Sequence, residues 1–439
     1  QMRAHLALTL MRMDDNDEAL RHANAAIRVL SDHTEDRACA ESLASAHLTR
    51  AVLRGTSPAA RADYQRAVQL WEQVNGKDSR VLIPALTSQG YALLVMGELE
   101  EAERVLQRGL ELAQRNRLIS YDQLTLLENL TLLRLRQKRI DEAKALAARM
   151  RDVWADWVPL ALEAGSESER LNLLLQSHWI DSAIAAGDET KAIEAILANY
   201  GSVFDSLMRD TALAARLPRD QRQHYKQSQT KLAALALHGN ARVDTDEVSR
   251  LRRVIQSMNA PIARVLDADE SASLRAALPG DGALVVFASY RSLDLKPTRR
   301  LAVAVLTRDA QTLILLPATC DAVRGVGDAL IESLRPPAKA EQAQQHLREL
   351  RDALITPLKP ALGSTAQLYL CLDGCMNRVP AILWKDFRVT FLTSPRALLR
   401  KAPVTPVTCT AWMIANTGHE ALRFPVDQAF PYSIANGFK

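Results

Sequence analysis

Cysteine has the widest chemical range of any residue type in this chain, because a thiol can attack a substrate, bind a metal ion or form a disulfide. The 439 residues contain five cysteines, namely Cys39, Cys320, Cys371, Cys375 and Cys409. An odd, scattered set argues against a disulfide framework and for a reducing compartment. Cys371 and Cys375 are four residues apart, but no second pair completes a zinc site. We therefore expect no metal site. Without a glycine-rich phosphate loop, we expect no nucleotide dependence and no cofactor.

The sequence around each cysteine predicts how reactive its thiol is. Cys371 lies inside a predicted strand and Cys409 inside a threonine-rich apolar run, where a cysteine is usually an inert small hydrophobic residue. Cys320 begins a predicted helix, whose N-terminus would lower the pKa of the thiol, and Cys375 follows a predicted turn. We expect both to be more exposed, although neither has a histidine nearby in sequence. His419 is predicted to be a surface loop residue.

Other residues that could form a site are interpreted as structural. Three tryptophans in helical surroundings are predicted to lie in the core rather than in a ligand cage, and they are Trp154, Trp157 and Trp179. Five basic residues are predicted to be solvated surface, and they are Arg299, Arg300, Arg396, Arg400 and Lys401.

The charge balance excludes several classes of partner. Lys and Arg number 55 against 51 Asp and Glu, which leaves a net charge of +4 with no dense basic stripe. We therefore expect no nucleic-acid contact. No apolar run approaches the roughly 20 residues that a membrane span requires, and no signal peptide is visible. These features predict a cytoplasmic protein that is not bound to a membrane. A chain that begins with Gln1 rather than Met is also expected to be a piece of a longer protein.

The first half of the chain has the composition of stacked helices, and it contains an internal repeat. The anchor alanines Ala19, Ala60, Ala102 and Ala143 are spaced by 41, 42 and 41 residues. Residues 90–112 (GYALLVMGELEEAERVLQRGLEL) are the clearest copy, and a fifth, degenerate copy is predicted around residues 187–200, with Ala192 and Ile196 in the corresponding places.

Small residues in the clearest copy are predicted to lie where the two helices of a hairpin approach closely, and they are Gly90, Gly97, Ala102 and Gly109. Leu106 and Leu110 are predicted to fill the gaps between them. The copy resembles a tetratricopeptide repeat with a period somewhat longer than usual. Because one helix pair cannot bury its own apolar face, such repeats stack into a solenoid whose groove binds another polypeptide. Generic helical hairpins without a ligand are the alternative interpretation.

The chain divides into three predicted segments. Residues 1–204 form the repeat solenoid, and residues 205–279 form a helical connector with long helices over 222–238 and 245–258. Residues 280–439 form an α/β domain, and the boundary lies between residues 259 and 282. Short apolar runs predict strands over 283–290, 301–307, 312–316, 367–372, 389–392 and 409–415. Helices are predicted over 320–334 and 340–355. This alternation predicts a largely parallel sheet covered on both faces, with a hairpin joining the second and third strands.

Residues 367–399 contain the most informative pattern. A buried strand ends at Asp373 and Gly374, and Pro380 opens an apolar segment that runs to residue 384. A second strand then ends at Ser394 and Pro395, where the serine can cap a new helix. In this order the pattern resembles the CHAT family, the caspase-like peptidase domains found joined to tetratricopeptide repeats. The resemblance covers about residues 280–415, and the upstream repeats agree with it.

The resemblance implies a three-layer α/β caspase-like fold and peptide-bond cleavage by a cysteine thiolate, with a histidine as base. In the family the histidine lies in an H-G turn and the cysteine in a small-residue turn, both downstream of the Ser-Pro helix. Here the one downstream histidine, His419, precedes Glu420, and no cysteine follows Cys409. The catalytic residues are therefore left unassigned, and we expect the chain to end before the catalytic half of the domain.

The function expected from this resemblance is that of a cysteine endopeptidase of bacterial type. Its solenoid would bind a regulatory or substrate protein. The first alternative is a non-catalytic adaptor with a degenerate caspase-like domain. The second is a sensor whose cleaved N-terminal part is the signal.

Overall fold

The architecture is described by a computed structural model with two compact units. The structure describes residues 1–116, 121–163, 178–200, 217–218, 221–225, 227–228, 231, 250, 270–293, 298–335, 340–372, 375–376 and 379–399. The first unit contains residues 1–188, 218–263 and 293–295, and the second contains residues 189–217, 264–292 and 296–439. Most of the described chain is helical, and a small five-stranded sheet follows toward the C-terminal end.

The described helices of the first unit follow one another with short connections. They are α1 (Met2–Arg12), α2 (Asn16–Leu30), α3 (Arg37–Arg54), α4 (Pro58–Asn75), α5 (Ile83–Met96), α6 (Leu99–Arg115), α7 (Tyr121–Arg136), α8 (Ile140–Glu163) and α9 (His178–Ala185). Consecutive helices pack as pairs, α1 with α2, α3 with α4, α5 with α6 and α7 with α8. The four anchor alanines lie on the second helix of each pair and are buried. The predicted repetition of helix pairs is therefore confirmed for residues 1–163.

Local sequence explains where these helices begin and end. The Asp36 carboxylate accepts a hydrogen bond from the Cys39 amide at 2.7 Å and caps α3. The Ser57 hydroxyl accepts from the Ala60 amide at 3.2 Å and caps α4, which has Pro58 in its first turn. Helix α5 is followed by Gly97, whose φ of 87° is a left-handed conformation that favours glycine.

The predicted close approach of two helices at Gly90 is also confirmed. A Cβ atom added to Gly90 would overlap the side chain of Leu106, so α5 and α6 approach closely at this glycine. A Cβ atom at Gly109 would lie 2.9 Å from Cδ2 of Leu126, on α7. Small residues therefore set the packing within one helix pair and between that pair and the next.

The predicted degenerate fifth copy divides between the two units. Helix α9 contacts α7 and α8 in the first unit, and its Trp179 is buried against Trp154 with ring centroids 5.2 Å apart. The prediction that these two tryptophans are core residues is confirmed, whereas the side chain of Trp157 lies outside the described residues. The next helix, α10 (Glu189–Asn199), contacts the sheet of the second unit.

The second unit also contains α11 (Glu270–Ala277), α12 (Cys320–Ser333), α13 (Ala340–Leu354) and the short α14 (Lys359–Leu362). Its strands are β1 (Gly282–Arg291), β2 (Arg299–Thr307), β3 (Gln311–Thr319), β4 (Gln367–Cys371) and β5 (Arg388–Phe391). Each agrees with its predicted strand to within three residues at either end. The predicted helices over 320–334 and 340–355 are likewise confirmed as α12 and α13. The predicted strand over 409–415 lies outside the described residues, as do nearly all of the predicted helix over 222–238 and the whole of that over 245–258.

The sheet is mixed, with strand order β3-β2-β1-β4-β5. Strand β1 pairs antiparallel with β2, and β2 with β3, whereas β4 runs parallel to β1 and β5 parallel to β4. The predicted hairpin between β2 and β3 is therefore confirmed. The prediction of a largely parallel sheet is wrong, because β1 and β2 are also antiparallel and only two of the four pairs are parallel. The segments that join β1 to β2 and β2 to β3 are too short for a crossover helix, so these strands must turn back on themselves.

Both faces of the central strands are buried. On one face Val285 and Phe287 of β1 and Val303 of β2 join a core cluster with side chains of α12 and α13. The alternate side chains of β1 and β2, such as Val286 and Ala304, are fully buried as well. Helix α10 contacts β1, β2 and β3, and none of its side chains belongs to that cluster, so we place it on the opposite face. Burial on both faces explains the nearly continuous apolar runs of these strands.

Candidate functional site

The structure corrects the prediction that Cys320 and Cys375 are exposed. Cys320 is 0% exposed and Cys375 is 6% exposed, and both belong to the core cluster of the sheet unit. Strand β3 runs directly into α12, so the first residue of that helix is still inside the protein. The Cys320 thiol donates a weak hydrogen bond to the Arg300 carbonyl at 3.7 Å. The helix N-terminus is capped by the Thr319 hydroxyl, which accepts from the Ala322 amide at 3.1 Å.

Two other cysteines lie in the described part of the chain, Cys371 and Cys39. Cys371 is buried in β4, as predicted. A side-chain hydrogen bond to the Asp36 carboxylate raises the pKa of the Cys39 thiol, which disfavours the thiolate. No disulfide joins any two of the four cysteines in the described part of the chain. Cys409 and His419 lie outside the described residues.

Both strands of the 367–399 pattern, β4 and β5, end at the same edge of the sheet. Strands β1, β4 and β5 are parallel, so their carboxyl ends lie at the same edge, where α/β proteins place their ligand sites. Asp373 and Gly374, which follow β4, lie outside the described residues. Pro380 precedes a short 3-10 turn, Ala381–Trp384, that carries the apolar segment back into the core. There Trp384 packs edge-on against Phe287, with ring centroids 5.8 Å apart.

The Ser-Pro position after β5 forms the predicted cap. Ser394 is fully buried, and its hydroxyl accepts a hydrogen bond from the Arg396 amide at 3.2 Å. The element that follows is a 3-10 turn, Pro395–Leu399. The prediction that Arg396 is solvated is wrong, because its guanidinium pairs with the buried carboxylate of Glu270 on α11, at 2.8 Å and 3.0 Å. The prediction of exposure is confirmed for Arg299 and Arg300, and Arg400 and Lys401 lie outside the described residues.

Two side chains of the α10 segment reach the sheet, and the sequence alone did not identify either contact. The Glu189 carboxylate accepts a hydrogen bond from the Leu313 amide of β3 at 2.8 Å. The Tyr200 hydroxyl donates to the Leu372 carbonyl, immediately after β4. These partners are 124 and 172 residues apart in the chain, so no local pattern could have found them.

The helical unit contains a buried polar cluster centred on Asp63 of α4. The carboxylate of Asp63 accepts hydrogen bonds from His47 Nδ1 at 2.8 Å, Arg50 Nη2 at 2.6 Å and Arg54 Nη1 at 2.8 Å, all from α3. Arg50 also donates to Asn24 of α2 at 3.1 Å, which links the cluster to the preceding helix pair. The cluster was not found from the sequence, although the spacing of three and four residues along α3 is a signal that could have indicated it.

Burial and hydrogen bonding act in opposite directions on the titration of this cluster. Burial lowers the pKa of His47 more than the hydrogen bond to Asp63 raises it, so the pKa lies below its ordinary value. Burial would raise the pKa of Asp63, but the hydrogen bonds from Arg50 and His47 outweigh it and leave that pKa lowered. The neutral His47 therefore donates from Nδ1 to a charged carboxylate at neutral pH.

A surface pocket of about 330 Å³ lies near the C-terminal end of α6. Its charged lining is balanced, with three basic and three acidic side chains: Lys77, Arg108, Arg115, Glu72, Asp78 and Glu111. Two ion pairs join residues of this lining, Arg108 with Glu72 and Arg115 with Asp78. A lining with equal numbers of both charges gives the pocket no preference for a charged ligand of either sign.

The described residues contain no cluster of three or more His, Cys, Asp or Glu side chains that could hold a metal ion. None of the helices described here is long and apolar enough to cross a membrane. No protein-family model matches the chain, and no curated protein is significantly similar to it.

Proposed function

We propose that this chain belongs to a cysteine endopeptidase of the caspase-like CHAT type, in which a tetratricopeptide-like solenoid binds a regulatory or substrate protein. The observation that carries the proposal is the order of elements in the second unit. A strand and a hairpin are followed by two helices, a strand parallel to the first, an apolar turn that opens with Pro380, and a further strand that ends at Ser394 and Pro395. This is the order in which the family resemblance places its motifs.

The stacked helix pairs of residues 1–163 support the binding part of the proposal. Their anchor alanines recur at nearly constant spacing and are buried. Ion pairs join successive helix pairs. For example, Arg61 of α4 pairs with Glu98, which precedes α6, and with Glu101 of α6. Repeats held in register in this way present a continuous surface, which suits an extended polypeptide better than a small molecule.

The proposal places the catalytic cysteine and histidine outside the described residues. Cys320, Cys371 and Cys375 are enclosed in the sheet unit, where a peptide substrate does not reach them. In the active enzyme, a histidine would take the proton from the thiol and later give it to the leaving amine. A reducing, cytoplasmic location is part of the proposal, because the nucleophile must remain a thiol.

The same burial favours a second candidate, a non-catalytic adaptor in which the α/β domain is degenerate. None of the three described thiols of the sheet unit is placed to attack a peptide. In that case the solenoid alone would carry the function, by holding a protein partner.

Cleavage of a peptide library by the full-length protein distinguishes the two candidates. The protein encoded by the complete reading frame that contains this chain is incubated with proteome-derived peptides. New N-termini are then identified by mass spectrometry. We expect cleavage that iodoacetamide abolishes, that one Cys→Ala variant abolishes, and that the matched control Cys39→Ala leaves intact. If no cysteine-dependent cleavage occurs in the presence of the protein that the solenoid binds, the adaptor is the correct assignment.

A further inference from the structure

Helix α10 is attached to the sheet at both of its ends. At its first residue, Glu189 accepts a hydrogen bond from the Leu313 amide of β3 at 2.8 Å. One residue beyond its last turn, Tyr200 donates a hydrogen bond to the Leu372 carbonyl, which follows β4. Both partners are backbone groups, one on β3 and one directly after β4. The two contacts therefore report on the positions of two different strands.

The length of α10 matches the distance that it must cross. Strand β3 is at one end of the strand order, and β2 and β1 lie between it and β4. Three strand spacings amount to about 14 Å. The 11 residues of α10 extend over about 16 Å. The helix also contacts β1 and β2 between its ends, so it lies across the sheet rather than along one strand.

Most side chains along the body of α10 are buried. Its buried side chains are Ala192, Ile193, Ala195, Ile196, Leu197 and Ala198. A helix fixed along its length by such packing moves as one body, because well-packed interiors have few voids to absorb a local shift. A displacement at Glu189 is then felt at Tyr200.

The two attachment points are places where a change would have consequences. Leu313 lies on β3, which is an edge strand of the described sheet, and its amide donates a hydrogen bond to the carboxylate of Glu189. Leu372 leads out of β4 at the edge of the sheet where α/β proteins place their sites. The first segment of the helical unit ends at Asp188, and the next residue, Glu189, begins both the sheet unit and α10. The chain therefore enters the sheet unit through α10.

We propose that α10 is a conformational clamp that couples the β3 edge to the carboxyl end of β4, so that the two contacts form and break together. A displacement of the chain before Glu189 would then release the Leu372 carbonyl as well as the Leu313 amide. This inference does not depend on the assignment of peptidase activity, since it concerns the coupling of two backbone positions within one unit.

Hydrogen exchange of the full chain tests the coupling. Tyr200→Phe removes the hydroxyl at one end of α10, and exchange is measured in peptides that cover Leu313 at the other end. We expect exchange there to be about threefold to tenfold faster, the effect of losing roughly one hydrogen bond. The matched control is Tyr91→Phe on α5, a residue that is 41% exposed, and we expect no change in that variant. Unchanged exchange at Leu313 in Tyr200→Phe would overturn the proposal.

The reciprocal variant provides a second test, because coupling between two sites must act in both directions. Glu189→Ala is expected to speed exchange by a similar factor in peptides that cover residues 367–372. Glu189→Gln keeps an acceptor oxygen and is expected to stay close to the unmodified protein, which also shows that the fold tolerates change at this position. If Glu189→Ala alters exchange at β3 alone, the two contacts are independent and the clamp does not exist.

Discussion

Replacing Asp63 by asparagine removes one negative charge from the buried polar cluster of the helical unit without changing the size of the side chain. The carboxylate is 5% exposed and accepts from His47, Arg50 and Arg54, including a two-point contact with Arg50 at 2.6 Å and 2.9 Å. An amide nitrogen cannot accept a hydrogen bond, so at least one of these donors would then face another donor. The two guanidinium groups would also lose their shared counter-charge.

The expected magnitude follows from how deeply each partner is buried. Removing one partner from a buried ion pair costs about 3–5 kcal/mol, because the other charge is left without compensation. The side chain of Arg50 is 17% exposed, whereas that of Arg54 is 33% exposed and can turn toward water. We therefore expect the lower end of the range, about 3 kcal/mol for Asp63→Asn.

Hydrogen exchange of the slowest amides in α3 and α4 is the appropriate assay, because two units need not unfold together. A loss of about 3 kcal/mol corresponds to roughly 100-fold faster exchange. The matched control is Asp78→Asn, whose side chain is 80% exposed and pairs with Arg115 at 3.1 Å. We expect it to change stability by less than about 0.5 kcal/mol. If Asp63→Asn behaves like this control, the buried cluster contributes nothing and the reasoning is refuted.

Two further predictions concern the packing and the charges of the helix pairs. Gly90→Ala is expected to lower the free energy of unfolding by about 1–3 kcal/mol, because the added methyl group would overlap Leu106. Denaturation experiments measure this change, and in them Gly325→Ala, at an open helical position, should be neutral or stabilising. Equal effects of the two substitutions would contradict the packing argument. Hydrogen bonding from Arg134, which outweighs burial, holds the pKa of Glu103 at about 2. Because that pKa is lowered, Glu103→Gln should cost about 1–2 kcal/mol at neutral pH, and this difference should disappear as the pH falls from about 4.5 to about 2. A difference that does not change with pH would exclude this ion pair as the cause.

The strands and the helix pairs could be predicted because their signals are local. A strand buried on both faces must be apolar at nearly every position, and β1 has this property from Ala283 to Ala288. Recurring alanines and glycines mark the positions where helices touch, and Gly90 against Leu106 shows why the residue must be small. The direction of the strands was harder to predict, because connection length, and not strand composition, makes β1 and β2 antiparallel.

The polar contacts of the sheet unit could not be predicted because they join distant parts of the chain. The sequence offers no indication that Arg396 pairs with Glu270, 126 residues earlier. Cys320 was expected to be exposed because it begins a helix, but its exposure depends on β3 running straight into that helix. Burial at a helix end is a property of the tertiary structure, and the periodicity of the sequence does not contain it.

The rate of alkylation at each cysteine tests the proposed cysteine chemistry most directly. The full-length protein is treated with iodoacetamide over a range of pH, and each labelled peptide is quantified by mass spectrometry. The account predicts slow labelling of the buried thiols of Cys320, Cys371 and Cys375. It also predicts rapid labelling of one cysteine outside the described residues, with a thiol pKa below its ordinary value of about 8.5. Uniformly slow labelling, or rapid labelling of a cysteine enclosed in the sheet unit, would contradict it.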